Sequence, residues 1–243
     1  MPTTLILGAT SAMAEHTARL LAADGDRLLL AARSTEALGI QAADLTTRGA
    51  GGIKILPAFD ALDSESFPRL LSAASPFDRV LIAYGNLPDQ AACEADPAKA
   101  AGQIQLNLVS VIHLCTLIAN QFVEQGHGTL AVISSVAGLR GRQSNYVYGT
   151  AKGGLNIFLQ GLRNRLHPEG IRVITLLPGF VDTPMTADIK KGPLFVPAST
   201  AGACIHKALT KSKSDIVYVP FFWRYILWII RCIPEGLFKR LKL

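Results

Sequence analysis

Tyr148-Gly-Thr-Ala-Lys152 places a phenol and an ammonium four residues apart, which on a helix is one turn apart on one face. Ser135 stands thirteen residues upstream, at the end of the apolar run Thr129–Ser134. A phenol is a poor proton donor at neutral pH because its reference pKa is about 10, and bringing it to about 7 takes about 4 kcal/mol. A unit positive charge about 4 Å away supplies that much at an effective dielectric of about 20. Tyr148, Lys152 and Ser135 are therefore read as a proton-transfer site at a carbonyl or alcohol carbon, with Lys152 lowering the phenol.

Such a site needs a frame that brings a strand end and a helix together. Strand-like runs lie at Thr3–Leu7, Arg27–Ala31, Ile53–Ala58, Val80–Ala83, Thr129–Ser134, Arg172–Leu177 and Ile216–Val219. Helix-length segments lie between them, among them Ala12–Ala23, Pro97–Glu124 and Tyr146–Leu166. Near-continuous apolar strands point to parallel pairing with both faces covered. Their alternation with helices predicts an α/β fold, a Rossmann-type doubly wound parallel sheet of about seven strands. Its ligand crevice belongs at the carboxyl ends of the strands.

The chain has 243 residues, 49% hydrophobic and 17% charged, enough to build one large core and too apolar for wholesale disorder. The amino terminus runs straight into a strand without a basic segment and long apolar stretch, so no signal peptide is read. No run reaches the eighteen or so uninterrupted apolar residues of a membrane-spanning helix. Cys93, Cys115, Cys204 and Cys232 form no metal-type spacing and fit free thiols in a reducing cytoplasm. The net charge of +6 sits wholly in the segment from Lys207 onward, and residues 1–206 are neutral. The basic excess thus belongs to the tail and not to a nucleic-acid-binding face.

The first strand runs into Gly8-Ala9-Thr10-Ser11-Ala12-Met13-Ala14, followed by a helix. Small residues in that turn let backbone N–H groups at Thr10, Ser11 and Met13 approach a pyrophosphate at the positive helix terminus. The second strand ends without the carboxylate that binds the ribose hydroxyls of NAD, and Arg33 follows it. Arg33 either pairs with a 2′-phosphate or is a solvated arginine at a helix start; the missing carboxylate favours NADP(H) over NAD(H).

These motifs together resemble the short-chain dehydrogenase/reductase family over almost the whole chain. The resemblance rests on the glycine turn at Gly8, on Asn107, Ser135, Tyr148 and Lys152 at spacings of 28, 13 and 4, and on Pro178-Gly179-Phe180-Val181-Asp182-Thr183. It implies that Tyr148 is the general acid in reduction, that Lys152 tunes it and holds the nicotinamide ribose, and that Ser135 binds the substrate oxygen. It implies that Asn107 holds a water next to Lys152, that Asp60 touches adenine, and that Ala83 and Gly85 border the cofactor. Pro178, Val181 and Thr183 would cover the nicotinamide. Two departures stand out: Ala12 and Ala14 replace the second and third turn glycines, and the fourth strand ends Ile82-Ala83-Tyr84-Gly85 where the family has Asn-Asn-Ala-Gly. Alanine is the smallest such change, and cofactor binding is expected to survive it.

Residues 1–220 are read as the Rossmann domain and 221–243 as an apolar, basic segment packed on the domain or at a membrane surface. Phe221–Ile233 is apolar apart from Arg224 and Arg231, which are seven apart, and Pro234 should end its helix. Thirteen helical residues span about 20 Å, short of a bilayer core of about 30 Å. An interfacial position, with the arginines snorkelling and the tryptophans at headgroup level, fits better. Arg224, Arg231, Lys239, Arg240 and Lys242 would add about 5 kcal/mol at an anionic leaflet, at about 1 per residue. Ordinary core or an oligomer contact is the competing reading. The tail and the aromatic-Gly strand end are also similar to one branch of the family, the reductase partner of the decaprenylphosphoryl-ribose epimerase, which implies a keto-pentose on a polyprenyl phosphate. The resemblance further implies a homo-oligomer, dimer or tetramer, or an oxidase partner subunit.

The leading expectation is an NAD(P)H-dependent reductase of a lipid-linked or apolar ketone, cytoplasmic and at the inner face of the membrane. A generic soluble ketone or 3-oxoacyl reductase and a non-catalytic dinucleotide-binding scaffold are the alternatives. The short lid between Thr183 and Pro197, with Lys190 and Lys191, should shape specificity.

Overall fold

The computed structural model describes residues 1–241; Lys242, counted above with the basic tail, lies outside them. Seven strands form one parallel sheet: β1 (Thr3–Leu7), β2 (Arg27–Ala31), β3 (Gly52–Ile55), β4 (Arg79–Ile82), β5 (Thr129–Ile133), β6 (Arg172–Pro178) and β9 (Ile216–Val219), in the order β3-β2-β1-β4-β5-β6-β9. Between β6 and β9, the short strands β7 (Val181–Asp182) and β8 (Val196–Pro197) pair with each other.

The apolar runs become strands because successive side chains enter two different cores. Leu5, Leu7, Val80 and Ile82 join one core, whereas Ile6 and Leu81 join the other. The helices α1 (Ala12–Ala23), α2 (Thr35–Thr47), α3 (Phe67–Ala74), α4 (Gln90–Ala95), α5 (Pro97–Ile104), α6 (Ser110–Gln125), α7 (Tyr146–Leu166) and α8 (Ala198–Thr210) cover the sheet faces. β3 ends at Ile55, earlier than the expected Ala58, because Pro57 has no N–H to continue the ladder.

From β1 the chain proceeds through β2 to the edge strand β3, then returns to β4 on the other side of β1. This reversal opens a crevice at the carboxyl ends of β1 and β4, where Leu7 pairs with Ile82. Residues 97–125 are long and apolar enough to cross a membrane. Their Val111, Leu114, Ile118 and Phe122 are instead buried against the sheet, so this is a core helix.

The tail forms α9 (Trp223–Cys232) and α10 (Glu235–Phe238), interrupted at Pro234 as expected. One face of α9 is core: Trp223 and Leu227 are buried against Val136 and Leu177. The opposite face leaves Tyr225, Trp228 and Ile229 exposed.

Candidate active site

Ser135 follows the end of β5 and begins a 3₁₀ turn, Val136–Leu139, where its Oγ accepts a hydrogen bond from Ala137 N at 3.1 Å. That bond fixes the hydroxyl at the crevice mouth, with Pro178 O 3.5 Å away as acceptor. Tyr148 and Lys152 lie one turn apart on α7, with Lys152 Nζ 5.8 Å from the centre of the Tyr148 ring. The Lys152 side chain runs inward and is 3% exposed, its ammonium donating to Ile133 O at 3.1 Å.

Burial governs the protonation of both groups. It pulls Lys152 down to about 8 and pushes the Tyr148 phenol up to about 12, against the pull of the neighbouring Ser135 hydroxyl. The expectation is that Lys152 lowers the phenol; in the fold burial raises it, and the Ser135 hydroxyl is what pulls it down. The ammonium lies beside the ring, and the loss of water around the phenolate outweighs the hydrogen bond from Ser135.

Asn107 is fully buried at the junction of α5 and α6, within a π-helical turn, Gln105–Val109. Its side-chain amide donates to Gln103 O at 3.2 Å and accepts from Asn86 N at 2.9 Å. A side chain that competes for helix carbonyls widens the turn locally. Gly85 passes between Asn107 and Lys152. A Cβ there would stand 2.9 Å from Asn107 Oδ1 and 3.7 Å from Lys152 Nζ.

One cavity brings together Ser11, Met13, Ala83, Gly85, Ser135, Tyr148, Lys152, Pro178, Val181 and Thr183. Gly8 supports the cavity from behind: it has φ +84°, and a Cβ would stand 2.8 Å from Tyr84 N. The close approach of backbone to backbone here, and the open amino terminus of α1 after Ser11, suit a dinucleotide pyrophosphate. Ala14 is fully buried in the core and Ala12 packs at its edge, so neither turn substitution closes the crevice. Thr10, Arg33 and Asp60 are exposed outside the catalytic cavity. Asp60 Oδ1 accepts from Leu62 N at 2.9 Å, capping a turn beyond β3.

Residues 2–193 match the short chain dehydrogenase family. This chain belongs to that family. An uncharacterized oxidoreductase of Streptomyces coelicolor is 40% identical over 241 residues, covering 98% of this chain and 94% of the relative. A short chain dehydrogenase from Burkholderia cenocepacia, solved with NADP, superposes with a TM-score of 0.85 at 19% identity, covering 100% of this chain and 98% of that one. One from Sphingobium yanoikuyae, solved with NADPH, gives 0.83 at 22% identity, covering 97% and 98%. The chain is accordingly an NAD(P)-dependent oxidoreductase on a Rossmann-type fold.

Several site residues were not singled out from sequence. Tyr84 lines the cavity, its hydroxyl 3.0 Å from Ser110 Oγ and its ring edge-on to Phe59 at 5.3 Å. It ties β4 to α6 at a position where the family pattern has alanine, and the departure from that pattern was the available signal. Burial raises its phenol well above the ordinary range. Arg142 and Asn145 line the cavity from the loop before α7; a basic residue between Ser135 and Tyr148 was their only sequence trace. Trp223 and Arg140 act through contacts that no local pattern records. Lys191, in the lid, pairs with Asp182 at 2.6 Å on the surface.

Proposed function

We propose that this chain reduces a ketone with NADPH, with Tyr148 as proton donor, and that the ketone is carried on an apolar or lipid-linked molecule. The observation that carries the reading is the convergence of Ser135, Tyr148 and Lys152 at one cavity whose floor is Gly85 and whose roof is Pro178–Thr183. A bound nicotinamide supplies the hydride. Ser135 Oγ holds the carbonyl oxygen, and its donation strengthens as negative charge develops there. Tyr148 delivers the proton to that oxygen. Lys152, close to half-protonated near pH 8, stabilises the phenolate left behind. Ile133 O holds the Lys152 ammonium, and Asn107 holds the backbone N–H of Asn86, next to Gly85.

Arg33, exposed after β2, supports the preference for the 2′-phosphate. Comparing affinities for NADPH and NADH in the parent and in Arg33→Ala tests this, and an unchanged ratio removes Arg33 from the reading. Replacing Tyr148 by Phe should lower turnover by 10²-fold or more while NADPH still binds by fluorescence titration. Full turnover in that variant would overturn the assignment.

The membrane-facing part of the reading rests on the outer face of α9. Arg224, Trp228 and Arg231 form one exposed stripe, flanked by Tyr225 and Ile229, with Lys239 and Arg240 close behind in sequence. Four basic groups complement an anionic lipid surface, at about 1 kcal/mol each, and the aromatics suit the headgroup level. Sedimentation with vesicles of phosphatidylglycerol and of phosphatidylcholine, using the parent and Tyr225→Ser/Trp228→Ser, tests it. Binding to the anionic vesicles alone, lost in the variant, supports the reading. Dimerisation through this face without lipid binding replaces it with a second copy or another subunit.

A further inference from the structure

The cavity around Tyr148 contains an unbalanced charge. Its lining includes the cations Lys152 and Arg142 and no aspartate or glutamate. Lys152 is accounted for by Ile133 O and by the phenol beside it. Arg142 is not: among the described residues its guanidinium has no hydrogen-bonded partner and no ion pair, although it is half-buried. By contrast Arg140, two residues earlier, donates to Ile230 O and Arg231 O, pairs with Glu235 at 3.0 Å and covers the Phe238 ring. Burial depresses Arg142, with no neighbouring carboxylate to restore it. A half-buried arginine without a partner gives up part of its hydration with nothing in the fold to replace it, and its fork geometry matches a phosphate or carboxylate.

Asn145 gives an independent indication. It is the N-cap residue of α7, yet its side chain makes no capping bond. Asparagine at this position ordinarily accepts from the first helical N–H groups. Here Gln90 Oε1, from α4, takes Val147 N at 3.2 Å. Asn145 Oδ1 is left buried without a partner, on the cavity wall. A buried amide oxygen in that position is an acceptor waiting for a donor.

We propose that Arg142 and Asn145 form a polar anchor for the substrate, Arg142 taking a phosphate or carboxylate and Asn145 a hydroxyl. The natural substrate is then a hydroxylated ketone carrying an anionic group. The proposal rests on the reductase reading of the same cavity and narrows it. The loop 140–145 holds the anchor on one side and, through Arg140, the end of α9 on the other. An anionic group in the anchor therefore lies next to the tail.

The test uses the protein saturated with NADP⁺, so that the cofactor's own phosphate sites are filled. Calorimetric titration with inorganic phosphate and with dodecyl phosphate is compared in the parent, Arg142→Gln, Arg142→Lys and Asn145→Ala. Phosphate affinity should fall at least tenfold in Arg142→Gln and recover in part in Arg142→Lys, with all variants melting cooperatively. Tighter binding of dodecyl phosphate than of phosphate assigns a lipid-carried group, and equal binding a soluble ester. In parallel, NADPH oxidation with dihydroxyacetone phosphate and with dihydroxyacetone is followed. Arg142→Gln should raise KM for the phosphorylated ketone at least tenfold more than it raises KM for the neutral ketone. Asn145→Ala should raise KM for both. Phosphate binding and ketone discrimination that survive Arg142→Gln overturn the anchor while leaving the reductase reading intact. Phosphate binding lost in Arg142→Gln, with no ketone turned over by the parent, keeps the anchor and overturns the reductase reading.

Discussion

Trp223 lies against Gly179 so closely that a single methyl group at residue 179 would overlap the indole. Gly179 belongs to the segment that roofs the catalytic cavity, and Trp223 opens α9. Phe180 adds an edge-on contact to the same indole at 5.3 Å. The tail is thus built into the wall of the site, and its inner face is core.

Trp223→Ala should cost about 3–5 kcal/mol, as for other large-to-small changes of buried aromatics, and lower Tm by about 10 °C. It should also weaken NADPH binding, because Pro178–Thr183 loses its support. Thermal melting with and without NADPH checks both. Deleting 221–243 would remove this support together with any lipid-binding face, so substitutions on the outer face of α9 separate the two roles.

Tyr84 should behave as a structural tie. Tyr84→Phe removes one hydrogen bond to Ser110, whose hydroxyl still donates to Leu106 O at 2.7 Å. The expected cost is about 1 kcal/mol, with kcat/KM retained. Tyr84→Ala, which brings back the residue type of the family, should cost more, because Phe59 loses an aromatic neighbour and a cavity opens. Urea unfolding of the two variants orders them.

The strands and the set Asn107, Ser135, Tyr148 and Lys152 were legible because alternation and fixed spacing are local properties of the chain. β1, β2 and β9 begin and end where the apolar runs do. The amphipathic character of the tail was legible as well, but not which face turns inward. That is decided by Gly179, which admits the Trp223 ring from 44 residues away. The diverted cap at Asn145 was hidden for the same reason: it depends on Gln90 arriving from α4. Spacing sets how near Tyr148 comes to Lys152 but says nothing of burial, and it is burial that raises the phenol.

Gly8→Ala should impair both folding and cofactor binding. An alanine at φ +84° carries about 1–2 kcal/mol of backbone strain, and its Cβ would press on the backbone of Tyr84. Because the neighbour is backbone, relief requires β1 and β4 to separate at the crevice. Tm should fall by several degrees and the NADPH dissociation constant should rise at least tenfold. A variant that melts normally and binds NADPH normally would show that the turn has room to spare.

Lys152→Met should make the protein more stable at neutral pH while abolishing turnover. An unfolded lysine keeps its proton to about 10.5, whereas Lys152 in the fold releases it near 8. Between those values the unfolded chain binds more protons, so the lysine's contribution to stability rises with pH. Below about 8 the fold carries the whole cost of a buried ammonium, about 3 kcal/mol at 1.36 kcal/mol per pKa unit. Methionine removes that cost along with the hydrogen bond to Ile133 O, which offsets about 1 kcal/mol. The variant should therefore gain about 2 kcal/mol at pH 7 by urea unfolding. At pH 10.5 the parent lysine is neutral inside the fold and keeps its hydrogen bond, so the order should reverse. Tyr148 is present in both proteins, and its rise to about 12 cancels from the comparison. A parent that is the more stable at pH 7 would mean that another group neutralises Lys152 in the fold.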